Sequence, residues 1–266
     1  MKQFFKYVFA SFVGTLLFSI IMGCFAFITI IGMIASTQTT NEIKDNSVLV
    51  LNLSGQLTER SEDNNIISQL QGKIGTIGLD NLLSAIDKAK NNKNIKGIYI
   101  EAGAFTADSY ASLQAVRNAL VDFKKSGKWI ITYADIYTQG TYYLSSSANK
   151  VYLNPQGQID WHGLSSQPVF VKDLLKKFGV KMQVMKVGTY KSATEMFTGD
   201  KMSDANREQT SAYLNSIWGN ITKDVSATRN ISVSSLNAYA DSMITFAAPT
   251  DYLKYKLVDG CFILTK

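Results

Sequence analysis

The longest feature of the hydrophobic pattern lies near the start of the chain. The range Tyr7–Ala35 is a run of 29 residues without a charged side chain, which exceeds the roughly 20 apolar residues that a helix needs to span a bilayer. Lys2 and Lys6 precede the run, and no acidic residue occurs before Glu42. Because positive charge is retained on the cytoplasmic side of a membrane, the pattern predicts one membrane-spanning helix with a cytoplasmic N-terminus and the rest of the chain outside.

Two other interpretations of this run remain open. A cleaved secretory signal has an apolar core of about 7 to 15 residues that ends in small residues, and this run is longer. The tetrapeptide Ile21–Cys24 resembles a lipoprotein cleavage box, but apolar residues continue from Phe25 to Ala35 where a polar linker would be expected. We therefore expect a retained anchor within residues 1–39, followed by one exterior domain in residues 40–266.

Beyond a polar stalk at Ser36–Asn46, apolar positions alternate between the two-residue period of strands and the longer period of helices. This alternation predicts an α/β fold, because strands joined through helices form a parallel sheet with right-handed crossovers. The predicted strands are Ser47–Leu53, Ile95–Glu101, Trp129–Ala134, Lys150–Leu153 and Val180–Val187. The predicted helices are Leu79–Ala89, Tyr110–Phe123, Gly140–Ala148, Val169–Phe178, Asp204–Arg229 after a Ser203 cap, and a last helix from a Ser232 cap to Ala240.

Composition excludes several classes of protein. With 266 residues and 46% hydrophobic residues, the chain can bury a large core. The formal charge of +6 is scattered along the sequence, so we expect no nucleic-acid partner. One histidine and two cysteines leave no CxxC or HExxH motif, so we expect no metal, no cofactor and no disulfide framework.

The chemistry that remains is that of a hydroxyl activated by lysine. His162 lies between Trp161 and Gly163 and lacks an evident triad, so a histidine-based hydrolase is not expected. A lysine amine serves as a general base when burial lowers its pKa towards neutrality. Lys191, in VGTYKSATEMF directly after a predicted strand, is the candidate. From the residues alone, an ordinary surface lysine at the end of a strand is the default interpretation of Lys191.

Several motifs in the second half of the chain resemble one family. The stretch Tyr137–Gly163 (YTQGTYYLSSSANKVYLNPQGQIDWHG), followed by VGTYKSATEMF and MSDANREQ, resembles the N-terminal half of the long, internally duplicated form of signal peptide peptidase A. This family consists of membrane-anchored serine proteases. The resemblance extends in order from the N-terminal anchor through NIKGIYIEAGAF and KKSGKWIITYAD to KYKLVDG, which is essentially the whole chain.

The resemblance implies a fold, an activity and a location. The fold is a ClpP/crotonase-like domain, and the activity is hydrolysis of hydrophobic signal peptides by a Ser-Lys dyad. The location is the bacterial cytoplasmic (inner) membrane, with the bulk of the chain on the extracytoplasmic side. Lys191 is then the general base, while Tyr190, Ser192 and Glu195 are its shaping or hydrogen-bonding neighbours. The implied partners are the membrane, a serine-bearing C-terminal half and further copies of the chain in a homo-oligomer.

The chain departs from the family pattern at the nucleophile. Where the short form of the family has a serine in a Ser-Gly-Gly-Tyr-Tyr-type turn, this chain has Gln139, which cannot attack a carbonyl. In the long form the second half supplies the serine, and we interpret Ser145, Ser146 and Ser147 as helix-packing residues. A second departure is Met196, where the family commonly has proline. Two glycines, Gly103 and Gly140, are open both to an oxyanion-binding role and to an ordinary turn role.

Two alternative functions stay open at this stage. Without a nucleophile, the chain is also compatible with an inactive scaffold that binds hydrophobic peptides or assembles with protease subunits. A crotonase-type acyl-chain enzyme is disfavoured by the extracytoplasmic location, where CoA thioesters are not available.

Overall fold

The computed structural model describes residues 2–37, 43–60 and 75–264. Contacts within the chain divide it into two units, Met1–Lys44 and Asp45–Lys266. The first unit contains α1, Lys2–Thr37. Its segment Gln3–Thr29 has a mean hydropathy of 2.2, and in the described part of the chain it is the one helix long and apolar enough to cross a membrane. By length and composition, α1 therefore fits the predicted anchor, and the predicted division into residues 1–39 and 40–266 stays a prediction.

The second unit is built on a fully parallel sheet, as predicted. Its strand order is β2-β1-β3-β4-β5-β6, and every neighbouring pair is parallel. Two of the strands, β2 and β6, have only three and two residues, which is too short for a periodic pattern to reveal. The strands are β1 Ser47–Thr58, β2 Thr76–Gly78, β3 Ile95–Ala107, β4 Trp129–Tyr137, β5 Lys150–Ile159 and β6 Gly260–Cys261.

Helices connect the strands and complete the domain. Several begin at a hydroxyl side chain that accepts the backbone N–H three residues later, which satisfies an otherwise unpaired donor of the first turn. Ser203 and Ser232 cap α7 and α8 in this way, as predicted. The helices are α2 Leu79–Asn91, α3 Tyr110–Lys124, α4 Gln139–Ser145, α5 Lys172–Lys177, α6 Glu195–Thr198, α7 Asp204–Arg229, α8 Val233–Asp241 and α9 Pro249–Lys254, with 3₁₀ turns at Ser192–Thr194 and Ile244–Phe246.

The central strands continue well beyond their predicted ends. The pairing of β1 with β3 shifts register between Leu53 and Gly55 and then resumes to Leu57. Gly55 has a φ of 87°, a left-handed conformation that glycine adopts without steric cost. The bulge bends β1 without ending it, and the period-two alternation that marks a strand in the sequence breaks at this point.

Around residue 180, one predicted element is wrong and another is shorter than predicted. Residues 180–187, predicted as a strand, have no regular structure, and no described strand lies beside them to pair with. The predicted helix Val169–Phe178 is reduced to the six residues of α5. The apolar side chains of this region face outwards: Met185 is fully exposed, and Val187 is 91% exposed. Their alternation therefore does not reflect burial within the domain.

The helix α4 lies in the centre of the core. Most of its residues are buried, including Tyr142, whose hydroxyl donates to the carbonyl of Leu257 at 2.8 Å. The ring of Tyr142 packs edge-on against Trp161, with 5.7 Å between ring centroids. Trp161 is itself fully buried, and its indole N–H donates to the carbonyl of Leu236. Aromatic packing and paired polar atoms thus fix α4 between β5 and the C-terminal helices.

A buried arginine joins α4 to its neighbouring helices. Arg117, on α3, donates to the carbonyl of Tyr143 and to Ser146 Oγ at the end of α4. It also donates to the carbonyl of Asp224 and to Thr228 Oγ1 on α7, at 2.8 and 2.9 Å. Burial lowers the pKa of the guanidinium, but an arginine remains charged at any physiological pH. The cost of burying this charge is offset by these four hydrogen bonds and by the Asp224 carboxylate, whose Oδ2 lies 3.8 Å from Nε of Arg117.

The C-terminal end of α2 is capped by a lysine from the loop between α3 and β4. Lys128, just before β4, donates to the carbonyls of Ala89, Lys90 and Asn92 at 2.6 to 2.9 Å. These groups include helix carbonyls that lack an intrahelical partner. Partial burial lowers the pKa of the ammonium, and Lys96 adds to this effect.

We expect Lys128→Met to lower the free energy of unfolding by about 1 kcal/mol, because the carbonyls at the end of α2 lose a charged donor. Lys125→Met is the matched control. Lys125 is 73% exposed, and its one ion pair with a described residue is with the Asp122 carboxylate, at 3.4 Å, so its loss should change stability by less than about 0.5 kcal/mol. Denaturant unfolding of both variants measures the difference. Equal effects would show that the cap contributes nothing.

Candidate active site

A cavity opens where the parallel strands end. It has a volume of about 430 Å³ and lies between the last residues of β3, the start of α4 and the segment that follows β5. Sites of α/β proteins commonly lie at this edge of the sheet. The polar side chains that line the cavity come from Thr106, Asp108, Ser109, Tyr110, Thr138, Gln139, Asp160, His162 and Tyr213. Ser109 Oγ is engaged at the start of α3, where it accepts the backbone N–H of Ser112.

Gln139 lies at the first position of α4, where the resemblance places the catalytic serine. Its Oε1 accepts the backbone N–H groups of His162 and Gly163 at 3.1 and 3.0 Å, and its Nε2 donates to the carbonyl of Gly163 at 3.1 Å. The side chain is only 5% exposed. Gln139 thus joins α4 to the segment after β5 through three hydrogen bonds and offers no nucleophilic atom.

The serines that follow do not replace it. Ser145, Ser146 and Ser147 are fully buried, and each is hydrogen-bonded inside the core. Ser146 Oγ and Ser147 Oγ donate to helix carbonyls three residues earlier, while Ser145 Oγ lies 3.0 Å from Thr132 Oγ1. They pack as the sequence predicts, away from any surface that a peptide reaches.

The single histidine also lacks a catalytic arrangement. His162 Nε2 lies 3.3 Å from Asp160 Oδ2, and the side chain is about half exposed. Asp160 has a further contact, since its Oδ1 accepts a hydrogen bond from Thr245 Oγ1 at 3.4 Å. Among the described residues, no serine or threonine hydroxyl is hydrogen-bonded to the imidazole, so a His-based triad is not assembled.

Lys191 lies in a different part of the domain, at the start of the 3₁₀ turn Ser192–Thr194. It is exposed, and no hydrogen bond or ion pair of its amine is found within the part of the chain that the structure describes. The preceding residues 169–190, here called the apolar arm, present large apolar side chains to solvent. The exposed members are Val169, Leu174, Phe178, Val180, Met182, Met185, Val187 and Tyr190.

The backbone around Lys191 is held in place by Glu195. Its carboxylate accepts Ser203 Oγ at 2.6 Å, the Ser203 N–H at 3.2 Å and Asn206 Nδ2 at 3.0 Å. The hydrogen bond from the Ser203 hydroxyl is the main cause that holds the pKa of Glu195 below its usual range. The same hydroxyl accepts the N–H of Asn206 and so caps α7. Glu195 therefore links the turn after Lys191 to the start of α7.

Hydrogen bonds of Tyr190 and Met196 hold the chain on either side of Lys191. Tyr190 Oη donates to Glu208 Oε2 at 3.0 Å, and this hydrogen bond raises the pKa of the phenol. The carbonyl of Met196, the residue where the family commonly has proline, accepts the N–H of Val171 at 2.7 Å. The start of the apolar arm is thus hydrogen-bonded to α6 through Val171, and its end is hydrogen-bonded to α7 through Tyr190.

The two glycines considered for an oxyanion site both have packing roles. A Cβ at Gly103 would lie 3.3 Å from the carbonyl of Leu53, and one at Gly140 would lie 3.3 Å from the side chain of Leu113. Close packing therefore accounts for glycine at both positions.

Comparison with known proteins identifies the family. The model of peptidase family S49 matches residues 122–263, which include both the α4 turn and Lys191. The chain belongs to peptidase family S49. Two relatives in this family are named Protease 4. The protein from Salmonella typhi is 34% identical over 254 residues, which cover 89% of this chain and 41% of that protein. The protein from Haemophilus influenzae is 33% identical over 213 residues, which cover 77% of this chain and 34% of that protein.

Membership in family S49 confirms the resemblance drawn from the sequence. The chain spans about two fifths of the length of the first of these relatives and a third of the second. Among solved structures, the ClpP protease catalytic domain from Plasmodium falciparum aligns with 82% of this chain and 85% of that chain, at 16% identity and a TM-score of 0.43. The predicted parallel α/β fold preceded by an apolar helix is confirmed by the sheet order and by α1, and its ClpP/crotonase-like type stays a prediction.

We expect Glu195→Gln to loosen the start of α7 in this S49 chain at neutral pH, because an amide places N–H donors where three donors already converge. Since the pKa of Glu195 is lowered in the fold, its contribution is present above the usual carboxyl pKa and is lost as the pH falls through the lowered value. The hydrogen-exchange rates of the amides at residues 203–206 should therefore differ between the native chain and Glu195→Gln at neutral pH. In acid, the two sets of rates should become equal.

The matched control is Glu208→Gln, which changes a carboxylate that accepts one hydrogen bond from an exposed tyrosine. It should leave exchange at residues 203–206 close to that of the native chain. A difference between Glu195→Gln and the native chain that persists unchanged into acid would contradict the electrostatic account.

Proposed function

We propose that this chain is the base-bearing half of a membrane-anchored Ser-Lys peptidase that hydrolyses hydrophobic signal peptides. In this proposal, Lys191 is the general base, and the nucleophilic serine comes from a second half in the same polypeptide or in another one. The observation that carries the proposal is the exposed amine of Lys191, which lies beside the apolar arm, while the serine position in α4 is filled by a fully hydrogen-bonded Gln139. Membership in a peptidase family supports the same conclusion.

The apolar arm supports the need for a second half. Soluble domains rarely leave so many large apolar side chains exposed along one segment unless another surface covers them. We propose that the serine-bearing half covers the arm, because the relatives named Protease 4 are more than twice as long as the matched region. Covering the arm would remove water from around Lys191, and burial of an ammonium favours its neutral form. Further copies of this assembly then form a homo-oligomer.

The chemistry of the complete site follows from these parts. The serine oxygen attacks the peptide carbonyl carbon while its proton moves to the neutral amine of Lys191. The resulting ammonium gives this proton to the leaving amine as the peptide C–N bond breaks, which leaves an acyl-serine and a neutral lysine. Water then attacks the ester carbonyl carbon while Lys191 takes a proton from it. The ammonium returns this proton to the serine oxygen as the acyl C–O bond breaks, which releases the carboxylic acid product and regenerates the serine and the neutral lysine. No metal or cofactor takes part in the proposed cycle.

The proposed location follows from α1 and from the charges beside it. The helix would cross the bacterial inner membrane once, with Lys2 and Lys6 on the cytoplasmic side and the domain on the extracytoplasmic side. A peptidase in this position would meet signal peptides that remain in the bilayer after they are cleaved from exported proteins.

One alternative function has a specific observation in its favour. The three hydrogen bonds of Gln139 give the α4 turn a structural role that does not depend on catalysis. In this alternative the chain is an inactive scaffold that binds hydrophobic peptides or protease subunits along the apolar arm. The alternative predicts that substitution of Lys191 leaves the activity of any assembly unchanged.

We expect Lys191→Ala to reduce peptide hydrolysis at least about 100-fold when this chain is assembled with the serine-bearing half of an S49 peptidase, because proton transfer from the serine is lost. Lys191→Arg should fail as well, since a guanidinium does not deprotonate at working pH. Cleavage of a fluorogenic hydrophobic peptide measures both effects. Lys186→Ala is the matched control, because it removes a lysine of the apolar arm and should retain activity.

We also expect the chain alone, and its Gln139→Ser variant alone, to hydrolyse no peptide. Among the described residues, the hydrogen bonds of Gln139 do not involve Lys191, and Lys191 does not line the cavity beside Gln139. We therefore expect a serine at position 139 to lack its base. Peptidase activity from this chain alone that survives Lys191→Ala would overturn the proposal, because a nucleophile and a base would then lie elsewhere.

A further inference from the structure

The two ends of the sheet carry opposite charge. The segments that lead into β1, β3, β4, β5 and β6, together with the first residues of β3 and β5, hold nine lysines and four acidic residues. They are counted over Asp45–Asn46, Asp87–Lys96, Asp122–Lys128, Asn149–Lys150 and Lys256–Asp259. All of these segments lie at one end, because the strands are parallel. In the described segments that directly follow β1, β2, β3, β4 and β5, acidic residues outnumber basic ones. Charges that are scattered along the sequence are therefore gathered by the fold.

Several lysines at this end have no charged partner. Lys88, Lys93 and Lys96 are exposed, and within the described ranges no carboxylate lies at ion-pair distance from them. Lys96 donates only to the carbonyl of Lys93, at 3.1 Å. Lys125 is 73% exposed and has one carboxylate contact, with Asp122. The ammonium groups of Lys88, Lys93 and Lys96 are thus available to an anionic surface outside the domain, whereas Lys90, Lys124 and Lys128 are engaged within it.

A tryptophan lies among these lysines. Trp129, the first residue of β4, is 37% exposed. Its ring covers Gly97, where a Cβ would come within 2.3 Å of the indole. Lys128 precedes it in the sequence, and Lys96 is adjacent to Gly97. Exposed indoles are enriched at the level of lipid headgroups, where one part of the ring is in contact with apolar groups and its N–H with polar ones.

The entry point of the polypeptide identifies which anionic surface to expect. The chain enters the domain at Ser47, which pairs with Ile95 at this same end of the sheet. In the sequence, nine residues separate Ser47 from the last residue of α1. A bilayer that holds α1 is therefore tethered to the lysine-rich end by a short connection. No comparable covalent link would hold a nucleic acid near this end, so the bilayer is the anionic surface that we expect.

We propose that this basic end, comprising the lysines before β3, β4 and β5 together with Trp129, binds the phosphate headgroups of the bilayer that anchors the chain. The proposal rests on the anchoring role given above to α1. Lysines near an anionic leaflet are attracted within about one Debye length, roughly 8–10 Å at physiological salt. Binding would orient the opposite, acidic end of the sheet, with the cavity beside Gln139, away from the bilayer.

Lysine labelling of the full chain in vesicles tests the proposal. The chain is reconstituted in phosphatidylcholine alone or with added phosphatidylglycerol, and a membrane-impermeant acylating reagent is read out by mass spectrometry. We expect Lys93 and Lys96 to label at least about fivefold more slowly in the anionic vesicles, as for lysines held at an anionic surface. Lys201 and Lys223, exposed elsewhere, serve as internal references. High salt should remove the protection, because it screens the attraction.

A charge-reversal variant adds a matched comparison. Lys88→Glu/Lys93→Glu/Lys96→Glu should abolish the lipid-dependent protection of Lys125 and Lys150, whereas Lys201→Glu/Arg207→Glu/Lys223→Glu should retain it. If the first variant does not fold, the comparison of the two lipid compositions on the native chain decides alone. Equal labelling in both compositions would overturn the proposal, and so would protection by duplex DNA without protection by phosphatidylglycerol.

The outcome is separable from that of the anchor and of the peptidase. Flotation of the chain with phosphatidylcholine vesicles tests α1 without any contribution from anionic lipid. Hydrolysis by the assembled peptidase tests Lys191 in detergent, where no bilayer is present. A chain that floats with neutral vesicles and shows no lipid-dependent protection refutes the basic end as a lipid-binding surface and leaves both other proposals intact.

Discussion

The buried guanidinium of Arg117 is the constraint on which the rest of the domain depends. It joins the end of α4 to α3 and to α7, and its side chain is only 3% exposed. Removing one partner of such a buried network typically costs about 3–5 kcal/mol, because the groups left behind are neither solvated nor paired. The position of α4 sets the position of Gln139 and of the cavity beside it. The position of α7 determines where Ser203 and Asn206 lie. These two residues donate to the Glu195 carboxylate and so hold the turn after Lys191.

The two candidate positions are held by different means. Residue 139 is fixed deep in the domain by hydrogen bonds to the backbone after β5, as a catalytic nucleophile would need to be, but glutamine has no group that can attack a carbonyl. Lys191 has the required amine, yet it lies at the surface and contacts no group that it could deprotonate among the described residues. In the proposed dyad, this chain would supply the amine, and position 139 would offer only the place of the nucleophile. This division favours a site that is completed by a second half.

The sequence predicted the parallel sheet, the caps at Ser203 and Ser232 and the central helices, because each of these depends on local periodicity or on a local hydrogen bond. It did not predict β2 and β6, which are too short to show a period, or the continuation of β1 beyond the bulge at Gly55. Residues 180–187 were predicted wrongly because an alternating apolar pattern indicates burial without specifying the surface that provides it. The role of Gln139 and the gathering of lysines at one end of the sheet depend on contacts between distant residues, which no local pattern contains.

The central claim is that Lys191 activates a serine carried by another half. The most direct measurement is covalent labelling of that serine by a serine-directed phosphonate probe, followed by mass spectrometry on the purified serine-bearing half with and without this chain. The account predicts that labelling requires this chain and is lost with Lys191→Ala and Lys191→Arg, while both variants still co-purify with the other half. Equal labelling of the serine in the absence of this chain, or with Lys191→Ala in the assembly, would contradict it.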